Sequence, residues 1–390
     1  MEHDKNPLVL ESMSRRAIMA FVLSQYPAEN EATIFRLFGL APQAYGVPGT
    51  DHEAIPMVHF SVPRLTDDVL QGFQQRLATS FMRYYTGHAQ DAVGERDEWV
   101  QQWETAMTRA CTIAQRVTLL ALQSRAHRLA ACVAREQCDE ESILFHTERA
   151  VEKAQEAMTL PNPNRNGESV FWVTANELLA SAWFTTAMAS YELGEADLAQ
   201  EQIERALTLL PEVQSRQLKT ELMGAAALIR ARTASSSTDR QLVISYMRHA
   251  ALIKSTVQVD APDANFFWCG KGMLALYKAL TLSYPKMRGA TNEKMRDLLE
   301  DAQRQTPPQL IRRHTLIEVF LAQAYAAEDS YQQATEVALS ALEKSRSIRS
   351  RLNRHRLEVF YRQCLRTAFG DKPLLAYFGM RLRTWDHEMG

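Results

Sequence analysis

The stretch WFTTAMASYELGEADLAQEQIERALTLLP, residues 183–211, decides how this chain folds. Trp183, Ala187, Gly194, Ala199, Ile203, Ala206 and Pro211 stand at fixed intervals in it, and none of these residue types does chemistry on its own. Small and large apolar residues alternate on a helical period, which gathers them on one face of each of two helices. Gly194 falls between the two runs, where a turn needs a permissive backbone. Pro211 lacks the N–H that a continuing helix would use, so it stops the second run. A helix hairpin buries its inner face only if small residues let the backbones approach and large ones fill the gaps. The stretch is therefore a packing unit.

The unit recurs. FLAQAYAAEDSYQQATEVALSALEKS (320–345) puts Ala322, Tyr325, Tyr331, Ala334, Ala338, Ala341 and Leu342 at matching offsets. Ala199 and Ala334 lie 135 residues apart, one short of four periods of about 34. Residues 224–255 and 265–307 read as degenerate copies, with Ala250 and Ala302 in the late small position and Pro307 closing the second. Upstream, residues 127–158 place Ala131 and Ala150 in the small positions and His127 in the large one.

Working outward, the periodicity predicts helices near 65–86, 95–116, 117–136, 139–158, 168–193, 195–210, 213–233, 238–256 and 264–283. Others follow near 291–304, 308–327, 330–346, 348–367 and 372–384, with short ones near 10–24 and 29–39. Asp139, Asp239 and Asn292 are placed as N-caps. No alternating strand pattern is visible. The chain divides into an irregular extension (1–63), a repeat array (64–347) and a helical cap (348–390) that covers the last apolar face.

Composition agrees. Only 15 glycines and 14 prolines in 390 residues disfavour a turn-rich β fold, and 46% hydrophobic residues supply a core. A net charge of −2 leaves no global electrostatic footprint for nucleic acid. The five cysteines form no CxxC pair and read as reduced, buried thiols of a cytoplasmic protein. Ser14–Arg15–Arg16 and its apolar run of seven read as a short amphipathic helix, not an export signal. No other run approaches a membrane span, so no membrane is expected.

A search for chemistry finds no phosphate loop, no dinucleotide fingerprint, no HExxH and no GxSxG. No histidine lies at metal-ligand spacing from a cysteine or another histidine. Glu140–Glu141 and Glu300–Asp301 read as solvated helix faces. No catalytic residue, metal or cofactor is assigned. An enzyme would require polar groups converging in one pocket.

The spacing Trp183, Ala187, Gly194, Ala199, Ala206, Pro211 resembles the tetratricopeptide repeat. The segments SRRAIMAFVL (14–23), RLATSFMRYYTG (76–87) and 321–366 extend that likeness. They resemble the tetratricopeptide regions of bacterial helix-turn-helix transcription regulators. The resemblance implies an all-α, right-handed solenoid of helix hairpins with C-terminal capping helices. Such a solenoid has a concave groove lined by the first helix of each hairpin. Where those regulators carry a helix-turn-helix, residues 1–60 are short and irregular, so direct DNA binding is not carried over.

The family's groove-facing offsets fall on Ser181, Phe184, Met188, Tyr191 and Glu192 in one repeat. In another they fall on Arg125, Arg128, Cys132, Arg135 and Glu136. Arg128 and Arg135 would pair with a ligand carboxylate, or else are solvated helix charges. Asn176 and Asn265 would clamp a peptide backbone through their amides, or else start a helix or a turn. Phe171, Trp172, Phe266, Phe267 and Trp268 read as core. The basic run 343–356 reads as solvated surface or protein contact rather than a nucleic-acid site. The implied function is a non-catalytic module that binds a protein or peptide segment in its groove, as an adaptor or regulatory subunit. The alternatives are a peptide-sensing regulator and a subunit of an enzyme complex.

Overall fold

The computed structural model describes residues 65–88, 102, 105–106, 112–160, 174–254, 261–287, 289 and 293–389. These belong to one compact unit, Arg64–Gly390. The extension 1–63 with its two short helices, Asn292 as a helix start, Phe171, Trp172 and most of the helix expected at 95–116 lie outside the described residues.

The described residues form thirteen α-helices and no strand. The first five are α1 (Asp67–Tyr85), α2 (Ile113–Gln137), α3 (Glu140–Thr159), α4 (Ala175–Leu193) and α5 (Ala196–Thr208). Then come α6 (Arg216–Thr233), α7 (Ser237–Lys254), α8 (Lys271–Ser283) and α9 (Met295–Gln305). The last four are α10 (Ile311–Ala327), α11 (Tyr331–Ser347), α12 (Arg351–Cys364) and α13 (Pro373–Met389). Consecutive helices pack as hairpins, α2 on α3, α4 on α5, α6 on α7, α8 on α9 and α10 on α11. Alternate helices also touch: α2 meets α4, α4 meets α6, α6 meets α8 and α10 meets α12. The chain then returns on itself, with α12 against α2 and α10 against α1.

The residues of the opening stretch do what their sizes allow. Ala187, Ala199 and Ala206 have no exposed surface at all, so α4 and α5 meet backbone to backbone there. Pro211 sits in the short 3₁₀ turn Leu210–Glu212 that follows α5. Trp183 is only half-buried; the Arg205 guanidinium lies 4.9 Å from its ring centroid.

One closing device ends five helices. At Gly194 (φ 94°) the amide donates to the Tyr191 carbonyl, and the next amide, of Glu195, donates to Ser190. The same pair of bonds is made at Gly87 (φ 95°) and at Cys138, Asp329 and Arg349, the last three with φ between 51° and 58°. These are Schellman turns, which satisfy the last carbonyls of the helix and need a left-handed residue. Only Gly87 and Gly194 are the glycine that suits it.

Several helix boundaries differ from the sequence expectation, each for a local reason. α2 begins at Ile113, not 117, because Thr112 and Gln115 cap it reciprocally: Gln115 N donates to Thr112 Oγ1 (3.2 Å) and Thr112 N to Gln115 Oε1 (3.0 Å). Asp139 caps α3 as expected, accepting from Ser142 N at 3.1 Å. Asp239 is not the cap of α7. The Ser236 hydroxyl accepts from Asp239 N (3.1 Å), while the Asp239 carboxylate takes the Ser235 and Ser236 amides and pairs with Arg230 at 2.7 Å. The helix expected from 264 starts only at Lys271. Asp263 holds the preceding segment in a turn, accepting from Asn265 N (2.9 Å) and Phe267 N (2.8 Å). α13 buries Leu375, Phe378, Leu382 and Trp385 in the core shared with α10, α11 and α12.

Candidate binding site

The alternation of helices creates a partly enclosed chamber of about 380 Å³. Its wall comes from α1, α2, α4, α6, α8, α10 and α12, plus Phe267 and Tyr284, and from none of α3, α5, α7, α9, α11 or α13. The wall is aromatic and aliphatic over much of its area, through Phe81, Phe184, Met188, Phe267, Leu316 and Phe320.

The turn at 263–268 pushes two aromatics inward. Phe266 (φ 63°) stacks on Phe81 at 4.6 Å between centroids, and Tyr85 Oη donates to its carbonyl at 2.6 Å. Phe267 meets Phe184 edge-on at 5.2 Å, and the Arg128 guanidinium lies 4.5 Å from its ring centroid. Arg128 is buried. It donates to Thr185 Oγ1 (3.2 Å), Ser181 Oγ (3.0 Å) and the Asn265 carbonyl (3.2 Å). Burial pulls its pKa down, since all its acceptors are neutral.

Two ion pairs cross the chamber wall between sequence-distant helices. Arg312 of α10 pairs with Glu136 of α2 at 2.7 Å, and Arg356 of α12 pairs with Glu192 of α4 at 2.5 Å. Glu136 also accepts from Ser350 Oγ, and Arg312 Nε donates to the Tyr84 carbonyl at 3.0 Å. Burial would raise the Glu136 carboxyl, but Arg312, Arg135 and the Ser350 hydroxyl outweigh it and hold the group below its usual range. The third acid, Glu221, accepts from Tyr277 Oη at 2.7 Å, and burial pushes its pKa up.

Eight of the ten groove-facing positions read from the sequence come together on this wall: Arg128, Cys132, Arg135, Glu136, Phe184, Met188, Tyr191 and Glu192. Arg128 is not a solvated helix charge, and Arg135 is half-buried with its guanidinium 3.4 Å from Tyr84 Oη. Tyr191 Oη and Tyr284 Oη share a hydrogen bond of 2.5 Å. Asn176 is half-buried in the first turn of α4 and does not line the chamber. Asn265 is fully buried behind it, with neither amide atom hydrogen-bonded. The basic run 343–356 is no uniform solvated patch, since Lys344 bonds Glu318, Arg354 pairs with Glu358 at 3.0 Å and Arg356 turns into the chamber. Sequence reasoning missed Arg312, Arg313, Tyr84, Glu221 and Tyr277, all on the wall. The groove-facing offsets that found Arg128 and Tyr191 would have reached these residues, on α1, α6, α8 and α10, only with a cleaner repeat.

No known family profile, curated protein or solved structure matches this chain. Geometry alone therefore carries the functional reading.

The α2–α3 hairpin also brings His127 and His146 together, with Nδ1 to Nδ1 at 3.0 Å. Burial, then His146, Arg149 and Lys153, pull the His127 pKa down to about 3. Nineteen residues apart, the pair carries no metal-spacing signal. Among the described residues no three His, Cys, Asp or Glu side chains gather as a metal set, and no helix is long and apolar enough to cross a membrane.

Proposed function

We propose that this chain is a non-catalytic, tetratricopeptide-like right-handed solenoid, capped by α12 and α13, that works as a cytoplasmic ligand-sensing regulator. It takes a short peptide or a molecule of similar size. The observation that carries this reading is the partly enclosed chamber of about 380 Å³ on the face where alternate helices meet. That volume lies in the range of small-ligand pockets, about 300–1,000 Å³. A partner helix, about 10–12 Å across with its side chains, has no comparable room. The groove of an adaptor is open along its length; here α12 lies against α2 and α10 against α1, which favours sensing over constitutive docking. The polar groups that converge in the chamber are largely tied to one another: Glu136 to Arg312, Glu192 to Arg356, Glu221 to Tyr277. No histidine lines it, which favours binding over acid–base catalysis.

The test is retention. The full chain is incubated with the low-molecular-weight fraction of host lysate, filtered, and the retained compounds are read by mass spectrometry. A compound held by the wild type and lost with Met188→Trp, which fills the chamber, supports the reading. Retention of nothing small, together with capture of a large protein that survives Met188→Trp, sinks it.

A further inference from the structure

Resting on the chamber as the binding site, we propose that its ligand is an amphipathic organic carboxylate, its head held by Arg135 and Arg313 and its apolar body lying against Phe81, Phe184, Phe267 and Phe320.

The charges on the wall do not balance. It carries the arginines 128, 135, 312, 313 and 356, and the acids Glu136, Glu192 and Glu221. Two of the acids are consumed by Arg312 and Arg356. The third is held by a tyrosine hydroxyl. Among the described residues, Arg128, Arg135 and Arg313 make no ion pair with a carboxylate. Arg128 gives three of its five N–H groups to neutral oxygens. Arg135 and Arg313 are less well served: Arg135 Nε and Arg313 Nη1 are buried with no acceptor among the described residues. Arg313 is nonetheless fixed in place, because its Nη2 donates to the Trp268 carbonyl at 2.7 Å. Arg135 is steadied by Tyr84 Oη at 3.4 Å.

Glu136 and Glu192 offset part of the Arg135 charge, but a buried N–H without an acceptor still costs free energy, and each of the two guanidiniums keeps one. The same low dielectric makes an anion delivered there bind strongly. Guanidinium presents a planar fork that matches a carboxylate. The rest of the wall selects the body of the ligand. A compact polar anion would leave the phenylalanines and Met188 facing nothing apolar, whereas an acyl chain, an aryl group or hydrophobic side chains would cover them. The free C-terminus of a short hydrophobic peptide and a fatty or aryl acid share this chemistry.

The experiment uses the full chain and paired probes in calorimetric titration and thermal melting. One arm is hexanoate, octanoate, decanoate and dodecanoate, each against the alcohol of the same length. The other is N-acetylated di- and tripeptides of Leu and Phe, with a free carboxylate or its amide. The expected result is that acids in at least one arm bind about tenfold or more tightly than their neutral twins. That preference should collapse in Arg313→Gln and in Arg135→Gln, with the neutral twin's affinity kept. Circular dichroism confirms that each variant is folded, and either variant alone suffices. The arm that binds identifies the source. Equal binding of acid and neutral twin overturns the carboxylate assignment and leaves the chamber as a binding site. So does an acid preference that persists in both variants. Absence of binding in both arms overturns the assignment and counts against the function it rests on.

Discussion

Replacing Glu136 by alanine should loosen the contact between the early and late helices. The carboxylate accepts from Ser350 Oγ and pairs with Arg312 at 2.7 Å, and both charged side chains are under a tenth exposed. Its removal leaves a guanidinium buried without its counter-ion and a serine hydroxyl without its acceptor. Breaking a buried pair from one side costs about 3–5 kcal/mol. The double change Glu136→Leu with Arg312→Met removes both charges and should recover much of that loss, because apolar replacements of a buried pair are often close to neutral. Urea unfolding of the wild type, Glu136→Leu, Arg312→Met and the double variant closes the cycle, and small-angle scattering reports whether Glu136→Ala opens before it unfolds. A Glu136→Ala loss below about 1 kcal/mol, or a cycle whose effects simply add, would refute the reasoning. The pair would then be an incidental contact.

Other outcomes follow from neighbouring features. His127 is held neutral, with its folded pKa at about 3 against about 6.5 unfolded. Its contribution is therefore complete above about pH 6.5 and lost toward pH 3, at about 1.4 kcal/mol per pH unit, and His127→Gln should flatten urea midpoints over that window. Glu136, with its pKa depressed, contributes fully above the unfolded value near 4.3 and loses that contribution at lower pH, so the Glu136→Gln difference should shrink on acidification. Cys138 is exposed and left-handed at φ 57°; Cys138→Gly should stabilise by about 0.5–1 kcal/mol, and a loss of stability would show that its side chain matters. A Cβ at Gly272 would stand 2.6 Å from the Ala302 carbonyl and 2.4 Å from Thr306 Oγ1. Gly272→Ala should cost about 1–3 kcal/mol by forcing α8 off α9, seen as a lowered melting temperature.

The hairpins were legible because their signal is local. Alanine at 187, 199 and 206 can only mean close helix contact, and the structure leaves those three no exposed surface. Eight wall residues were legible for the same reason: Arg128, Cys132, Arg135 and Glu136 on α2 and Phe184, Met188, Tyr191 and Glu192 on α4 sit on one face of their helices at repeat offsets. The segment at 264–270 was read as helix because its aromatics and the residues after it keep a helical period. A single carboxylate, Asp263, overrides that period by taking two amides that a helix would have needed. Asn265 was noticed for its amide, yet the structure uses its carbonyl, on Arg128. The return of α10 and α12 to α1 and α2 was invisible, since no periodic signal encodes a contact across more than 200 residues. With it went the chamber and the counting of its charges.

That return sets a timetable for the chain as it is made. Arg312 meets the Tyr84 carbonyl across 228 residues, and Ser350 meets Glu136 across 214. At about 5–20 residues per second, synthesis of the intervening stretch takes on the order of 10–50 s. Each hairpin can form as it emerges, because its partner helix is next in line. α1 and the inward side of α2 cannot finish, and Tyr84 and Glu136 wait without Arg312 and Ser350. A ribosome that stops before residue 311 therefore releases a product whose newest end is sound and whose oldest end is bare. Quality control acting on such a product would find its apolar target near the N-terminus, far from where translation failed.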